Sequence, residues 1–549
     1  MKTVLDGKTL ELSAGATYAD AAAVLYPDNP RRVLGVQVGG RTLPLTAPVQ
    51  EGGQAKSLTL QTEEGRRIYE RSLRFVLLLA VRETYPSAKV RIENSTQMGL
   101  YLTVKGATMN ARAAARIEKR MRELVEEDLP YQKTVITRSQ AIEYFRQQGE
   151  MDKVRLLTYR PYEHFQLYRA GDMLEYFYGE MAPSTGYTPV FALHFRLPGL
   201  ELRLTDPDDP TRPAPFREAP MLMKTFAETR GWAHILGCDN VADLNEMVQK
   251  RGLREFIRVN EALHEKSISD IADTFVQSGA QLILIAGPSS SGKTTFAHRL
   301  NIQLKVRGLR PMKVSMDDYY LDRDQLPLES DGRPDLERIE TLDIELFNSH
   351  LVQLLQGEAV DGPVFDFLTG KRSAQTHPMR LAPGQPVIVE GIHALNDKLT
   401  CDVPKDRKFQ IYVSVCTTIN LDDHNRVRTT DVRLLRRMVR DHQFRGTPPK
   451  ETMDMWDSVR NGERNYIFPF QERADLMFNS TLLYELAVLK KYAYPMLLDI
   501  QPDSPHYTRA HRLIKFLNYV QSADVEDEIP VNSILREFIG GCCFYREED

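Results

Sequence analysis

The sequence predicts a multidomain chain: a small α+β module, a second α+β domain, and an α/β domain built on a mostly parallel sheet. Three observations carry this expectation. At 549 residues the chain is too long for one hydrophobic core and long enough for about three domains. From Gln281 onward, apolar runs of strand length alternate with helical patterns, as parallel sheets with crossover helices do. At the head of that alternation, Leu282-Ile283-Leu284-Ile285-Ala286 leads into Gly287-Pro288-Ser289-Ser290-Ser291-Gly292-Lys293-Thr294, and a helical pattern starts at Phe296. Changes in pattern divide the chain into 1–61, 62–220, a helical connector 221–280, and 281–549.

Composition bounds the function classes. Apolar content of 42% with 27% charged residues describes an ordinary globular protein. A net charge of −4 gives no overall pull toward nucleic acid or an anionic membrane. No apolar stretch reaches the length that spans a bilayer, and Met1-Lys2-Thr3-Val4-Leu5-Asp6-Gly7 reads as strand and turn rather than a signal peptide. The five cysteines show no C-x-x-C spacing, so neither a disulfide framework nor zinc is expected. Cys542 and Cys543 are adjacent, but a vicinal disulfide is strained, so inert thiols are expected in a reduced, cytoplasmic protein.

Taken in order, Thr3-Val4-Leu5 and Thr9 to Leu12 read as a hairpin turning at Asp6-Gly7. A short alanine-rich helix follows from Tyr18 to Leu25, with Thr17 as N-cap. Strands at Val33 to Val38, Arg41 to Leu43 and Ser57 to Gln61 complete the module. This order resembles the TGS domain, a ubiquitin-like module at the N-terminus of threonyl-tRNA synthetases. A helix from Arg66 to Arg82, a run through Gly99-Leu100-Tyr101 and a charged helix from Ala111 to Glu127 are similar to the second domain of the same synthetases. In that family the domain edits mischarged tRNA with H-x-x-x-H and C-x-x-x-H ligands. Here those positions fall on Phe75, Leu79, Phe177 and Met181, none of which binds zinc. The resemblance therefore implies the fold without the editing chemistry, in a pocket packed shut or lined for an uncharged ligand. The basic residues of the charged helix are balanced by acids, so it reads as a solvated face rather than an RNA footprint.

The proline-rich, acidic passage from Thr205 to Pro220 reads as a linker. Met221 to Ile235, Ala242 to Gln249 and Leu253 to Gln277 read as helices, the last propping the following sheet from outside.

The strand–loop–helix at Gly287 has the spacing G-x-x-x-x-G-K-T. Its glycines let the backbone amides of Ser289, Ser290, Ser291 and Gly292 wrap a phosphate. The new helix aims its positive end, from Lys293 through Thr295, at the same anion. Lys293 reaches the outer phosphates and Thr294 offers a hydroxyl to Mg²⁺, so ATP with Mg²⁺ is expected. Three further strands follow: Met312 to Met316 ending at Asp317, Val387 to Val389 ending at Glu390, and Phe409 to Val415. Ligands gather at the carboxyl ends of such strands. Asp317 stands where a carboxylate can take the proton of an acceptor hydroxyl, and Glu390 suits the metal's surroundings. On the helix that follows, Arg433, Arg436, Arg437 and Arg440 fall on one face. Such a stripe repels itself unless an anion lies against it, and a triphosphate is the expected partner. A final strand is expected at Arg473 to Phe478, helices at Leu482 to Tyr494 and His511 to Val520, and an apolar helix within Ser533 to Tyr545.

In order and type, Ser315-Met316-Asp317-Asp318-Tyr319-Tyr320, Pro363-Val364-Phe365-Asp366-Phe367, Val389-Glu390-Gly391-Ile392 and the arginine helix resemble the uridine kinase and phosphoribulokinase family. The resemblance implies that Asp317 is the catalytic base, assisted by Lys293, Arg433 and Arg437, and that Tyr320 and Phe365 shape the substrate site. It implies that Glu390 and Thr294 serve the metal, Arg433, Arg436, Arg437 and Arg440 belong to a lid over the phosphates, and Asp335 and Glu337 lie where ribose hydroxyls are held. Where the family reads P-V-Y-D-F-x-x-H-S-R, this chain has Phe365 for the tyrosine and Gly370 for the histidine. The expected activity is ATP-dependent phosphorylation of a nucleoside 5′-hydroxyl, with a pyrimidine nucleoside such as uridine or cytidine as acceptor. A sugar phosphate is the alternative acceptor, with Lys371 and Arg372 as its only obvious cations. A nucleotide-switched sensor of tRNA or an amino acid is the alternative of a different class. The chain's own copies are a further candidate partner.

Overall fold

The computed structural model describes residues 1–250, 252–326, 337–366 and 369–544. The first module builds on the expected hairpin, Lys2–Leu5 with Lys8–Glu11. Gln54–Leu58 lies between Lys2–Leu5 and Gly35–Val38, and Arg41–Leu43 forms the far edge of a five-stranded mixed sheet. Helix Tyr18–Leu25, closed by a capping box on Thr17 and Asp20, buries Tyr18, Ala21 and Ala22 with Leu5, Val36 and Ala55 of the sheet. The last strand begins earlier than the apolar pattern placed it, because small Ala55 takes an inward position.

Helix Glu63–Thr84, capped by Thr62, is buried along most of its length. It shares a core with helix Ala111–Glu126 and a four-stranded antiparallel sheet ordered Ala192–Arg196, Gly199–Arg203, Gly99–Lys105, Lys89–Ser95. Phe75, Leu79, Phe177 and Met181 are all buried in that core, and the rings of Phe75 and Phe177 lie 5.9 Å apart. Of the two expectations for the former ligand pocket, packed shut is the one observed. The passage 205–219 holds no helix or strand and is pinned by one bridge, Thr205 to Pro213.

The sheet that starts at Leu282 has five parallel strands, numbered here in chain order: β1 Leu282–Ala286, β2 Met312–Ser315, β3 Val387–Glu390, β4 Lys408–Ser414 and β5 Leu476–Asn479. They lie in the order β2-β3-β1-β4-β5. This places the ends of β1, β2 and β3 side by side, where the loop, Asp317 and Glu390 stand. One face packs against helix Leu253–Ser278, the loop helix Lys293–Val306, the arginine helix Thr429–Arg445 and the C-terminal helices. That core also takes in Phe145, Leu157 and Phe165 from the synthetase-like region.

The segment 420–431, which leads into the arginine helix, is held by that same region. Ile92 N–H donates to the Asp423 carbonyl at 2.8 Å, and Asn420 Nδ2 to the Ile92 carbonyl at 2.7 Å. Arg428 pairs with Glu70 at 2.7 Å. Asp431 sits between Arg67, at 3.3 Å, and Arg512. Burial alone would raise the Asp431 carboxyl; Arg512 and Arg67 instead hold it down at about 2. Removing one member of a buried charge group strands the others in low dielectric. Asp431→Ala is therefore expected to destabilise the chain by about 3–5 kcal/mol, read as a lower thermal midpoint by circular dichroism. An unchanged midpoint would show that the arginines recover full solvation.

Candidate active site

The loop after β1 turns at Gly292, whose φ is +84°. A Cβ there would lie 2.5 Å from Ile534 Cγ2, so both conformation and space demand glycine. Ser290 also has positive φ, at 58°. The hydroxyls of Ser290 and Ser291 are buried with no hydrogen-bond partner, which leaves polar atoms for a ligand to satisfy. Lys293 Nζ donates to the Pro288 carbonyl at 3.2 Å. Burial lowers the proton affinity of that ammonium, while Glu390 and Glu537 oppose the shift.

Thr294 Oγ1 donates to Glu390 Oε1 at 2.9 Å, joining the first turn of the loop helix to the end of β3. A hydroxyl and a carboxylate are hard oxygen donors of the kind Mg²⁺ takes, so the residues present fit that ion. Asp317 stands on the 3₁₀ turn Met316–Tyr319 directly after β2. Burial pushes its carboxyl up to about 6, with Glu390 adding and Lys293 opposing. Next to it, the rings of Tyr320 and Phe365 lie 5.7 Å apart. The Tyr320 hydroxyl is shifted upward by burial and then by the charges of Asp317 and Glu337, so Glu337 shares this site. Asp335 lies outside the described residues. Gly370 has φ +69°, and a Cβ would meet Arg323 Cδ at 2.4 Å; the backbone itself excludes a larger residue there.

The arginine stripe corrects the expectation that a bound triphosphate is needed to relieve its repulsion. Arg433 pairs with Glu463 and Arg436 with Glu485 at 2.6 Å, all four fully buried. Their remaining donors hold the loop: Arg433 Nε to the Ser289 carbonyl at 2.9 Å and Arg436 Nη1 to that of Ser290 at 3.4 Å. Arg437 and Arg440 differ. With Arg445, which the sequence reading did not single out, they share one carboxylate, Asp441, at 3.2, 2.8 and 3.6 Å. The surplus positive charge of the stripe is therefore at its C-terminal end, where Arg437 Nη1 also donates to Ser289 Oγ at 2.8 Å.

Glu537 escaped sequence reading altogether. Its Oε2 accepts from Thr295 Oγ1 at 2.7 Å and from Thr295 N at 3.4 Å, which occupies the outermost amide of the loop cradle. No local pattern near Glu537 announces this. Nearby Cys542 is buried and Cys543 exposed, both as free thiols. Among the described residues, one cluster, Glu150, Glu175 and His424, has metal-ligand spacing. Lys153 Nζ occupies its centre, 2.6 Å from Glu150 and 2.7 Å from His424 Nδ1, so it is an ion cluster. Also among the described residues, no helix is long and apolar enough to cross a membrane.

A parallel sheet with a phosphate-type loop at β1 and carboxylates at the ends of β2 and β3 defines a P-loop kinase-like domain, here fused to a synthetase-like N-terminal region. Residues 282–485 match the family described as "Phosphoribulokinase / Uridine kinase family". The N-terminal part is similar to threonine–tRNA ligases. That of Desulforamulus reducens is 31% identical over 186 residues, covering 34% of this chain and 29% of the ligase. That of Marinobacter nauticus is 31% identical over 193 residues, covering 35% and 30%. The chain thus spans under a third of the length of the ligases it matches. A solved structure described as a "possible uridine kinase" from Bacillus stearothermophilus aligns with TM-score 0.27 and 18% identity, covering 38% of this chain and 98% of that one.

Proposed function

We propose that this chain is an ATP-dependent kinase acting on the 5′-hydroxyl of a nucleoside, with a pyrimidine nucleoside such as uridine or cytidine as acceptor. One observation carries the reading: a buried carboxylate, Asp317, with its affinity for protons raised, stands between the lysine of a phosphate loop and an aromatic pair, Tyr320 and Phe365. The aromatic pair stacks the base and directs the acceptor hydroxyl to Asp317. Asp317 takes the hydroxyl proton as the new oxygen–phosphorus bond forms, and the bond to the departing ADP oxygen breaks. Lys293 and Arg437 neutralise charge on the transferring group and the leaving oxygen. Arg440 adds to that field. Arg433 and Arg436 act one step back by fixing the carbonyls of Ser289 and Ser290. Thr294 and Glu390 would hold Mg²⁺, which supplies charge neutralisation on the phosphates.

The acceptor follows from what is free in the pocket. Arg372 is spent on Asp343, at 3.0 Å, and on the carbonyls of Tyr319 and Tyr320. Lys371 reaches Asp324 at 3.2 Å. The two cations that a sugar phosphate would need are therefore engaged, which favours an uncharged acceptor. Phe365 and Gly370 offer a base fewer hydrogen bonds than the tyrosine and histidine of the family pattern, so selection among bases should be broad. We read residues 1–61 as a TGS-like module and 62–220 as a non-catalytic synthetase-like domain in a cytoplasmic enzyme.

Three outcomes are expected. Asp317→Asn should lower turnover by about 10²–10⁴-fold while nucleotide binding persists; undiminished ADP release in a screen of nucleosides and sugar phosphates would remove Asp317 as the base. Because the base must be ionised and burial disfavours its charged form, wild-type turnover should rise with pH and level off above about 6. Finally, Glu537→Ala frees the Thr295 amide from a competing carboxylate, so ATP should bind about tenfold more tightly by titration calorimetry. Weaker binding would make Glu537 a supporting residue instead.

A further inference from the structure

A cavity of about 640 Å³ lies between the synthetase-like region and the kinase-like sheet. Its walls come from the start of helix Glu63–Thr84, the turn after Lys89–Ser95, the end of β4 with the segment after it, and helix Pro449–Gly462 with the turns that follow. Eight arginines line it, against three carboxylates and no lysine. The carboxylates are already engaged: Glu63 with Arg67 and Arg509, Glu70 with Arg428, and Asp457 with Arg509.

Four of the arginines are paired: Arg67 with Glu63 and Asp431, Arg428 with Glu70, and Arg433 and Arg460 with Glu463; Arg66, Arg426 and Arg464 make no direct ion pair among the described residues. Arg426 Nε is buried without a hydrogen-bond partner, and no ion pair within 4 Å reaches its guanidinium among the described residues. Burial, then Arg428, lowers its affinity for the proton to about 9, with Glu70 and Asp431 opposing. Arg66 donates only to the carbonyls of Leu60 and Gln61, and burial followed by the charge of Arg464 lowers its proton affinity. Arg464 itself makes no ion pair among the described residues. Cations gathered into one cavity beyond the supply of carboxylates are a site prepared for an anion. Apolar residues, among them Leu222, Phe226 and Phe468, complete the wall, so the occupant also carries an uncharged body. The volume falls in the range of small-ligand sites.

We propose that this cavity is a second anion site, taking a phosphate-bearing small molecule of nucleotide or sugar-phosphate size. It is separate from the phosphate loop: Gly292, Lys293, Thr294, Asp317 and Glu390 do not line it, and the two sites meet only at Pro288 and Arg433. The inference rests on the cavity alone and stands whether or not the kinase reading does.

The test uses the full-length chain carrying Lys293→Ala, which disables the loop, titrated calorimetrically at fixed ionic strength with pyrophosphate, ribose 5-phosphate and CTP. At least one probe is expected to bind. Adding Arg426→Gln and Arg464→Gln, which break no ion pair, should weaken that binding by about tenfold or more. Pyrophosphate alone would identify the phosphate group as the recognised feature, whereas tighter ribose 5-phosphate or CTP would identify the sugar or the base as contributing. No binding by any probe, or binding unchanged by the two substitutions, would overturn the proposal. Thermal midpoints without ligand provide the fold control. The doubly substituted chain should be no less stable than its parent, since no direct ion pair among the described residues is broken and buried positive charge is reduced; a lower midpoint would make these arginines structural and overturn the proposal too.

Discussion

Burying a guanidinium beside a phosphate loop is costly unless a carboxylate is buried with it. Arg433 and Arg436 meet that condition through Glu463 and Glu485, brought from segments well beyond the arginine helix. The helix therefore reaches its position only when those segments have docked. Once there, the spare donors of the two arginines fix the carbonyls of Ser289 and Ser290. The loop's strained turn is thus supported from outside, and its amides are aimed before any ligand arrives. Preorganised dipoles of this kind need no rearrangement at the moment of reaction.

The same logic extends to the start of the helix and explains why the synthetase-like region is not a loose appendage. Asp431 is shared by Arg67 of that region and by Arg512 near the C-terminus, and His424 reaches Glu175 at 2.6 Å. Buried ion pairs add little to stability over a well-packed apolar contact, but they are costly to break or to misplace. Their effect is to fix orientation. Two regions similar to unrelated families are held in one register through segment 420–431, and the arginine helix inherits that register.

Local signals made much of this legible. Thr17 announced its helix by capping, and the glycine spacing announced the loop. Thr294 and Glu390, 96 positions apart, could be placed together because Glu390 ends a strand and Thr294 opens the helix after the loop that ends another, and parallel strands bring their carboxyl ends to one edge. The partners of the arginines were not legible. Glu463 and Glu485 lie in ordinary helical contexts, and a sequence displays a helix face without displaying what covers it. The stripe was therefore read as awaiting a ligand when half of it was already neutralised. Glu537 is harder still, since it meets Thr295 across 242 positions with no periodic pattern to connect them. Only Asp441, one turn beyond Arg437, could have been found by helical spacing.

The uneven neutralisation of the stripe bears on how Asp317 can work. Burial raises its carboxyl toward neutrality, as it must for a stronger base, yet the group has to remain ionised to accept a proton. Lys293 is its nearest positive influence, and a phosphate chain would draw on that same ammonium. A replacement charge is then required to oppose Glu390, which pushes Asp317 the other way. Arg437, Arg440 and Arg445 share a single carboxylate, and the charge of Asp317 is felt at Arg445. Positive charge in excess of Asp441 at that end of the helix, offset only in part by Glu337 at Arg437, is what a buried base beside a polyanion needs. Neutralising all five arginines within the chain would have given a more stable helix and a weaker base field.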